Sequence, residues 1–238
     1  NIRNGRENRR LPESHKQMIK VDFHVHSEYS PDSISSLTTL YERAQTLGLG
    51  KLVLTDHNTI QGALLLQQQY PDYVVVGEEI KTTSGEILAF FLTEEVPAGL
   101  EPLDAFERLK NQGAFISLSH PFAFKRYGWS KDEMTEYRPY LDAIETNNSR
   151  NRKIMNRQAV EFAEKLNLPG TAGSDAHGLS EFGSMGLELP DFHDADSLRK
   201  AIQQARPFGE EGSAIAHVYS RYAVLSKKVK RIKDYLES

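Results

Sequence analysis

What most constrains this chain is a recurring order: a short apolar run, a polar cluster at its end, then a stretch with helical spacing. The runs IKVDF (19–23), KLVLT (51–55), DYVVVG (72–77), AFISLS (114–119), LDAIET (141–146) and GTAGS (170–174) read as buried strands. Helical patterns fall near 35–47, 59–69, 101–112, 150–166 and 194–205. Asn58 or Thr59 stands where the second helix would be capped, and Pro102 near the first position of the third. Buried strands alternating with helices build βα units and a mostly parallel sheet. The segment EIKTTSGEILAFFL breaks the rhythm: two apolar halves flank Thr-Thr-Ser-Gly, which predicts a β-hairpin. The tail VYSRYAVLSKKVKRIKDYLES predicts a last helix, with Val224, Leu225, Val229, Ile232 and Leu236 on or near one face. Residues 1–18 are polar and Arg-rich, a mobile arm rather than a nucleic-acid-binding one. With no internal repeat or low-complexity linker, residues 19–238 read as one domain that includes the C-terminal helix.

Composition removes several function classes. There is no cysteine, hence no disulfide framework, thiolate ligand or cysteine nucleophile. No apolar run approaches the roughly 20 residues of a membrane helix, and no secretory pattern opens the sequence, so a cytoplasmic protein without membrane contact is expected. A net charge of −4 supplies no global field to attract nucleic acid.

The polar clusters carry the chemistry. IKVDF runs into His24-Val25-His26-Ser27, KLVLT into Asp56-His57-Asn58, DYVVVG into Glu78-Glu79, AFISLS into His120-Pro121 and GTAGS into Asp175-Ala176-His177. In parallel α/β folds the C-terminal strand edge is where βα loops converge and sites are built. Side chains two apart on an extended segment share a face, so His24 and His26 can grip one ion, and Asp175 with His177 likewise. Carboxylates such as Glu79 and Asp32 can bridge ions and offset their charge. A set of imidazoles and carboxylates without sulfur suits zinc, manganese or iron better than magnesium. Taken singly, each motif has an ordinary reading: His-x-His on a surface, His-Pro as a turn, Asp-Ala-His as a cap, Asp-His-Asn as turn chemistry. Five of the eight histidines at strand ends, each beside other polar residues, make a metal site the better joint reading. His15, His193 and His217 take surface or structural roles by default.

At these residues the sequence resembles the PHP family (polymerase and histidinol phosphatase domains). VDFHVHSEYSPDS is similar to its first motif, TDHN to its second, GEEI to its glutamate motif, SHP to its third and GSDAH to its last, in matching order from about Val21 to Glu188. The resemblance implies a distorted (β/α)7 TIM-like barrel with two to three divalent metal ions at the C-terminal ends of the strands. It assigns His24, His26, Glu79 and Asp175 to one metal, Glu79 and His120 to a second, and Asp32, His57 and His177 to a third. Where the family often has a ligand histidine before Ile87-Leu88, this chain has Glu86, which a metal can also accept; the change shifts preference from zinc towards manganese or iron.

The activity implied is phosphoester hydrolysis by in-line attack of a metal-activated hydroxide, with Asp175, His177, His120 and Glu79 as the catalytic set. Asp56 and Asn58 are candidates to orient ligand histidines. Lys125, Arg126, Arg150 and Arg152 are candidate substrate-binding cations for the phosphate oxygens, against a plain reading as solvated charges. Phe122, Phe124, Tyr127 and Trp129 make the loop after His120 aromatic, for packing it down rather than for stacking on a base. A small phosphorylated metabolite or nucleotide is the expected substrate. The alternatives are a nuclease or phosphodiesterase acting on nucleic-acid ends, a non-catalytic metal-binding regulatory domain, and a metal-dependent amidase. The oligomeric state is not written in the sequence.

Overall fold

The computed structural model describes residues 17–123 and 128–210, together with Val224, Ser226 and Lys227. Its elements are β1 (Met18–Asp22), α1 (Leu37–Thr46), β2 (Lys51–Leu54), α2 (Gln61–Gln69), β3 (Val74–Lys81), β4 (Glu86–Phe90), α3 (Pro102–Asn111), β5 (Phe115–Leu118), α4 (Lys131–Glu136), β6 (Ala143–Asn148), α5 (Lys153–Leu166), β7 (Gly170–Gly173), β8 (Met185–Pro190), α6 (Ala195–Ala201) and β9 (Arg206–Gly209). All six expected strands and all five expected helices among the described residues are present. β8, β9 and α4 were not anticipated. Of the expected C-terminal helix only Val224, Ser226 and Lys227 are described, and they are helical; its other residues and the arm's residues 1–16 lie outside the described residues.

Helix starts follow local chemistry. Ser36 accepts from the Thr39 amide at the start of α1, and Ser130 with Glu133 and Asp194 with Ser197 form capping boxes on α4 and α6. Pro102 takes the first turn of α3, as expected. The second helix departs from expectation in part: its N-cap is Ile60, without a side-chain cap, although Thr59 Oγ1 accepts from the Gln61 amide at 3.3 Å. Asn58 is drawn away because it sits at φ 55° with its Oδ1 accepting from the Lys81 amide at 2.8 Å.

The strands form one sheet in the order β7-β6-β5-β4-β3-β2-β1-β8-β9. Neighbours are parallel except that β4 runs against both β3 and β5, and β8 against both β1 and β9. The β3–β4 pair is the hairpin expected from EIKTTSGEILAFFL, with Glu79 opposite Leu88 and Lys81 opposite Glu86. Past Asp22 the chain bends at Phe23 and joins β7. The Phe23 amide bonds to Ala172 O at 3.2 Å, and Val25 pairs in parallel with Ala176. The first seven strands thus make a nearly closed barrel, with β8 and β9 carried outside. This is the distorted (β/α)7 barrel expected, the distortion being the reversed β4. At the seam β1 and β7 approach so closely that a Cβ on Gly173 would lie 2.4 Å from His24 Cβ, so only glycine fits there.

Strand parity sorts the apolar residues into two layers. Val21, Phe23, Val53, Val75, Leu88, Phe90 and Phe115 belong to one packed cluster together with Leu198, Ala201 and Ile202 from α6 and the turn after it. The alternate residues Leu52, Leu54, Val74, Val76, Ile87, Ile116 and Leu118 pack in a second cluster with α1, α2, α3 and α5. The Phe90 ring lies 5.4 Å from Phe23 and 5.8 Å from Phe115, so the aromatic packing ties β1, β4 and β5 together. Arg199 anchors α6, with Nε and Nη2 on the two Asp142 oxygens at 2.9 and 3.2 Å and Nη2 on Ala114 O at 2.6 Å. Among the described residues no helix is long and apolar enough to cross a membrane.

Candidate metal centre

The parity that places Val75 inward places Glu79 inward two pleats further on, and in the reversed β4 it places Glu86 on the same side as Leu88 and Phe90. Past the apolar layer, the strand ends therefore turn from hydrocarbon to ligand atoms. His24, His26, Glu79, His120, Asp175 and His177 are each at most 4% exposed. They meet although they come from four different strands. Glu79 is central: Oε2 lies 3.2, 3.3 and 3.1 Å from nitrogens of His24, His26 and His57, while Oε1 lies 3.1 Å from His120 Nε2. Asp175 Oδ1 lies 3.8, 3.5 and 3.5 Å from His24, His26 and His177. Asp32 Oδ2 reaches His177 Nε2 at 2.9 Å and His57 Nε2 at 3.5 Å, and Glu86 Oε2 is 3.5 Å from His120 Nε2. All nine expected ligand residues are thus in one cluster.

Donor atoms lie within 4.8 Å of one another in three groups: His24, His26 and Asp175; His24, Glu79 and His120; His26, His57 and His177. Buried His24 Nε2, His26 Nε2, Glu79 Oε2 and Asp32 Oδ1 make no hydrogen bond. Buried polar atoms are normally satisfied, so the three orphans on His24, His26 and Glu79, which face one another, fit a divalent cation. His120 and Asp175 hold φ of 21° and 54°, in the left-handed region that costs a non-glycine residue about 1–3 kcal/mol. Such strain persists where the surrounding structure imposes it.

Within the cluster the carboxylates and imidazoles hold one another's charge. Burial opposes charge throughout, yet Glu79, Glu145 and Asp175 hold His24 well above the usual histidine range, and Glu79 with Asp32 brings His57 to about 9. Burial, with His177 and His57 adjacent, pushes His26 down to about 3. Against the cost of burial, His24 and His57 hold Glu79 well below the carboxylate range, and His177 and His57 do the same for Asp32. Burial and the neighbouring Glu79 lift Glu86 to about 7.

A layer of partners surrounds these residues. Asp56 accepts from the Ser27 amide and hydroxyl, both at 2.6 Å, and from Ser30 Oγ at 2.7 Å, and Ser30 Oγ lies 3.2 Å from His26 Nδ1. Asp56 therefore reaches His26 through Ser30. Asn58 serves the β3 backbone instead of a histidine. Ser119 Oγ donates to Glu79 Oε1 at 2.7 Å, and Asp22 takes the Ser174 amide and hydroxyl and the His24 amide at 2.9, 2.5 and 3.2 Å. Glu145 is buried against His24 and His120. Sequence reasoning missed Asp22, Ser119 and Glu145. The available signal was a charge inside an apolar run, as in VDF and AIET, since such residues are seldom buried without a partner.

The cationic candidates separate. Arg150 turns into the cluster with its side chain 3% exposed, Nη1 being 2.5 Å from His177 Nδ1 and 3.9 Å from Asp175 Oδ1. Its Nε is 3.8 Å from Glu181 Oε1, while Glu181 Oε2 accepts from the His177 amide at 3.0 Å. Arg152 is exposed, at the N-cap of α5. Lys125 and Arg126, with Phe124 and Tyr127, lie outside the described residues. Trp129 is buried and donates from Nε1 to Glu86 O at 2.9 Å, and the Phe122 ring packs 5.8 Å from Phe162. Packing is thus what these two aromatic residues do. His193 is exposed, and His15 and His217 lie outside the described residues.

The model of the PHP domain matches residues 22–142, half of the chain, and that of the PHP-associated segment matches 153–207. The chain belongs to the PHP family. An uncharacterized protein of Methanocaldococcus jannaschii is 35% identical to this PHP protein over 185 residues, 73% of this chain and 74% of the relative. Among solved structures, a two-domain protein from Bacteroides vulgatus containing a predicted PHP-like metal-dependent phosphoesterase superposes with a TM-score of 0.68 at 20% identity, covering 87% of this chain and 70% of that one. A lesion-specific endonuclease of Pyrococcus furiosus superposes with a TM-score of 0.55 at 15% identity, covering 80% and 58%. At these identities both share the fold.

Proposed function

We propose that this PHP protein is a metal-dependent phosphoesterase whose substrate is a small phosphorylated metabolite or nucleotide. The observation that carries this reading is the meeting of nine nitrogen and oxygen ligand residues with a buried guanidinium, Arg150, beside them. His24, His26, Glu79 and Asp175 would hold one divalent ion, Glu79, Glu86 and His120 a second, and Asp32, His57 and His177 a third. When bound, such ions bring the pKa of water near 7 and steady charge on the attacking and leaving oxygens of a phosphoester.

The chain's own residues supply the rest. Glu79 offers one oxygen to each side of the cluster, and Ser119 fixes which oxygen faces His120. Asp175 and His177 present ligand atoms beside Arg150, so a phosphate held there would meet a guanidinium suited to two of its oxygens. Glu79, His120, Asp175 and His177 form the proposed catalytic set. Glu86 adds an oxygen where the family often has a nitrogen, which favours manganese or iron over zinc.

The likeness to an endonuclease supports a second reading, a nuclease or phosphodiesterase acting on nucleic acid. A panel of sugar phosphates, histidinol phosphate, mononucleotides, 3′,5′-bisphosphates and short oligonucleotides separates the two. Turnover of the small phosphoesters is expected, and a strong preference for oligonucleotides would transfer the assignment to the second reading.

A further inference from the structure

Glu145 lies in β6, in the run IETNN, which carries none of the metal motifs. It is 1% exposed and uses both oxygens. Oε1 faces His24 Nδ1 at 2.9 Å, while Oε2 accepts from the His120 amide at 2.7 Å and from Asn148 Nδ2 at 3.1 Å. The same Asn148 Nδ2 donates to Asp175 Oδ2 at 3.2 Å. One carboxylate–carboxamide pair thus touches three proposed ligands from the ends of β1, β5 and β7.

The donors fix the polarity of the two bonds on Oε2. The His120 amide and the Asn148 NH2 are donors, so Glu145 accepts from both, and as a carboxylate it accepts from His24 Nδ1 too. That bond puts a proton on Nδ1. In the neutral ring the lone pair is then on Nε2, the nitrogen that faces Glu79 and Asp175 and makes no hydrogen bond. We propose that Glu145, with Asn148, is a positioning pair for metal binding. It fixes His24 as the tautomer whose Nε2 is the donor atom, and ties the His120 peptide and the Asp175 carboxylate to the same anchor. The proposal rests on the metal-centre reading above. Carboxylate partners of ligand histidines generally set ring orientation and ligand basicity.

Glu145→Gln is the informative change, because it keeps volume and removes the ability to accept on both sides. Its amide either sets NH2 against the His120 amide and Asn148, or faces His24 Nδ1 with a donor and favours the wrong tautomer. Full-length wild type, Glu145→Gln and Asn148→Ala are titrated with Co²⁺, read by d–d absorption, and with Zn²⁺ by competition. Each chelated protein is also melted. Glu145→Gln is expected to bind about 10–100-fold more weakly with an altered Co²⁺ spectrum, while its chelated form melts within a few degrees of wild type. Asn148→Ala, which keeps the Glu145–His24 bond, should lose less than about tenfold.

Wild-type affinity and spectrum in Glu145→Gln would overturn the proposal, as would a loss confined to the chelated melt. If Glu145→Gln does not fold, the ring ¹⁵N shifts of His24 in Zn²⁺-loaded wild type decide: a proton on Nδ1 supports the assignment, and coordination through Nδ1 overturns it. Wild type that binds neither metal would instead remove the metal-centre reading itself.

Discussion

Replacing Arg150 by Gln tests whether the buried guanidinium is a phosphate clamp or only part of the packing. Its Nη1 sits 2.5 Å from His177 Nδ1 and 3.9 Å from Asp175 Oδ1, with the side chain 3% exposed, so a phosphate seated beside those residues would take a hydrogen bond from a desolvated cation. Hydrogen bonds to charged groups contribute about 1.5–3 kcal/mol. At about 1.4 kcal/mol per factor of ten, that is a fall in kcat/KM of roughly 10–150-fold. Arg150→Lys keeps the charge but not the planar fork, so it should recover part of the loss. Glu181, which burial holds above its usual carboxylate range and Arg150 offsets, would lose its cationic neighbour. The assay is steady-state hydrolysis of a phosphomonoester, with metal content measured on the same samples. Activity of Arg150→Gln within about threefold of wild type at equal metal content, against that expected fall, would refute the clamp.

Asp175→Ala should reduce phosphoester hydrolysis by at least about 1000-fold, or 4 kcal/mol, while far-UV circular dichroism stays that of wild type; full activity would mean the site is elsewhere. Metal binding should release protons. His57, raised to about 9 by Glu79 and Asp32 against burial, is protonated below that pH and must give up its proton to coordinate. Affinity should therefore weaken by about tenfold per pH unit per displaced proton as pH falls below 9, measured by calorimetry in buffers of different ionisation enthalpy; pH-independent affinity would contradict this. Arg199→Ala removes the clamp of α6 onto Asp142 and Ala114 and should cost about 1–3 kcal/mol. For a domain this size that is a fall in Tm of about 2–12 °C, and an unchanged Tm would show that α6 is held by its apolar face alone.

The parts of this account legible in the sequence are those where one local pattern carries the information. Six strands stood out because their apolar runs are buried, and the β3–β4 hairpin because Thr-Thr-Ser-Gly interrupts two of them. Most of the ligand residues are marked by their place at the C-terminal end of an apolar run and by the scarcity of histidine elsewhere, whereas Asp32 in the loop after β1 and Glu86 at the start of β4 are marked mainly by the family motifs. β8 and β9 were missed: they run antiparallel on the outside of β1 and end in no polar cluster, so neither the βα rhythm nor a motif marks them. Asn58 looked like a helix cap, but its left-handed backbone and its bond to the Lys81 amide are tertiary, set by β3. Glu145 gave no signal beyond a lone charge in an apolar run. Its importance depends on His24, which is 121 residues away in sequence and adjacent only once the barrel closes.

The central claim, that nine converging side chains hold metal, is tested most directly by counting metal in the purified full-length chain by elemental analysis, before and after reconstitution. Two to three divalent ions per chain are expected, falling when Glu79, which faces histidines on both sides of the cluster, is replaced by Gln. No bound metal even after reconstitution would contradict the claim.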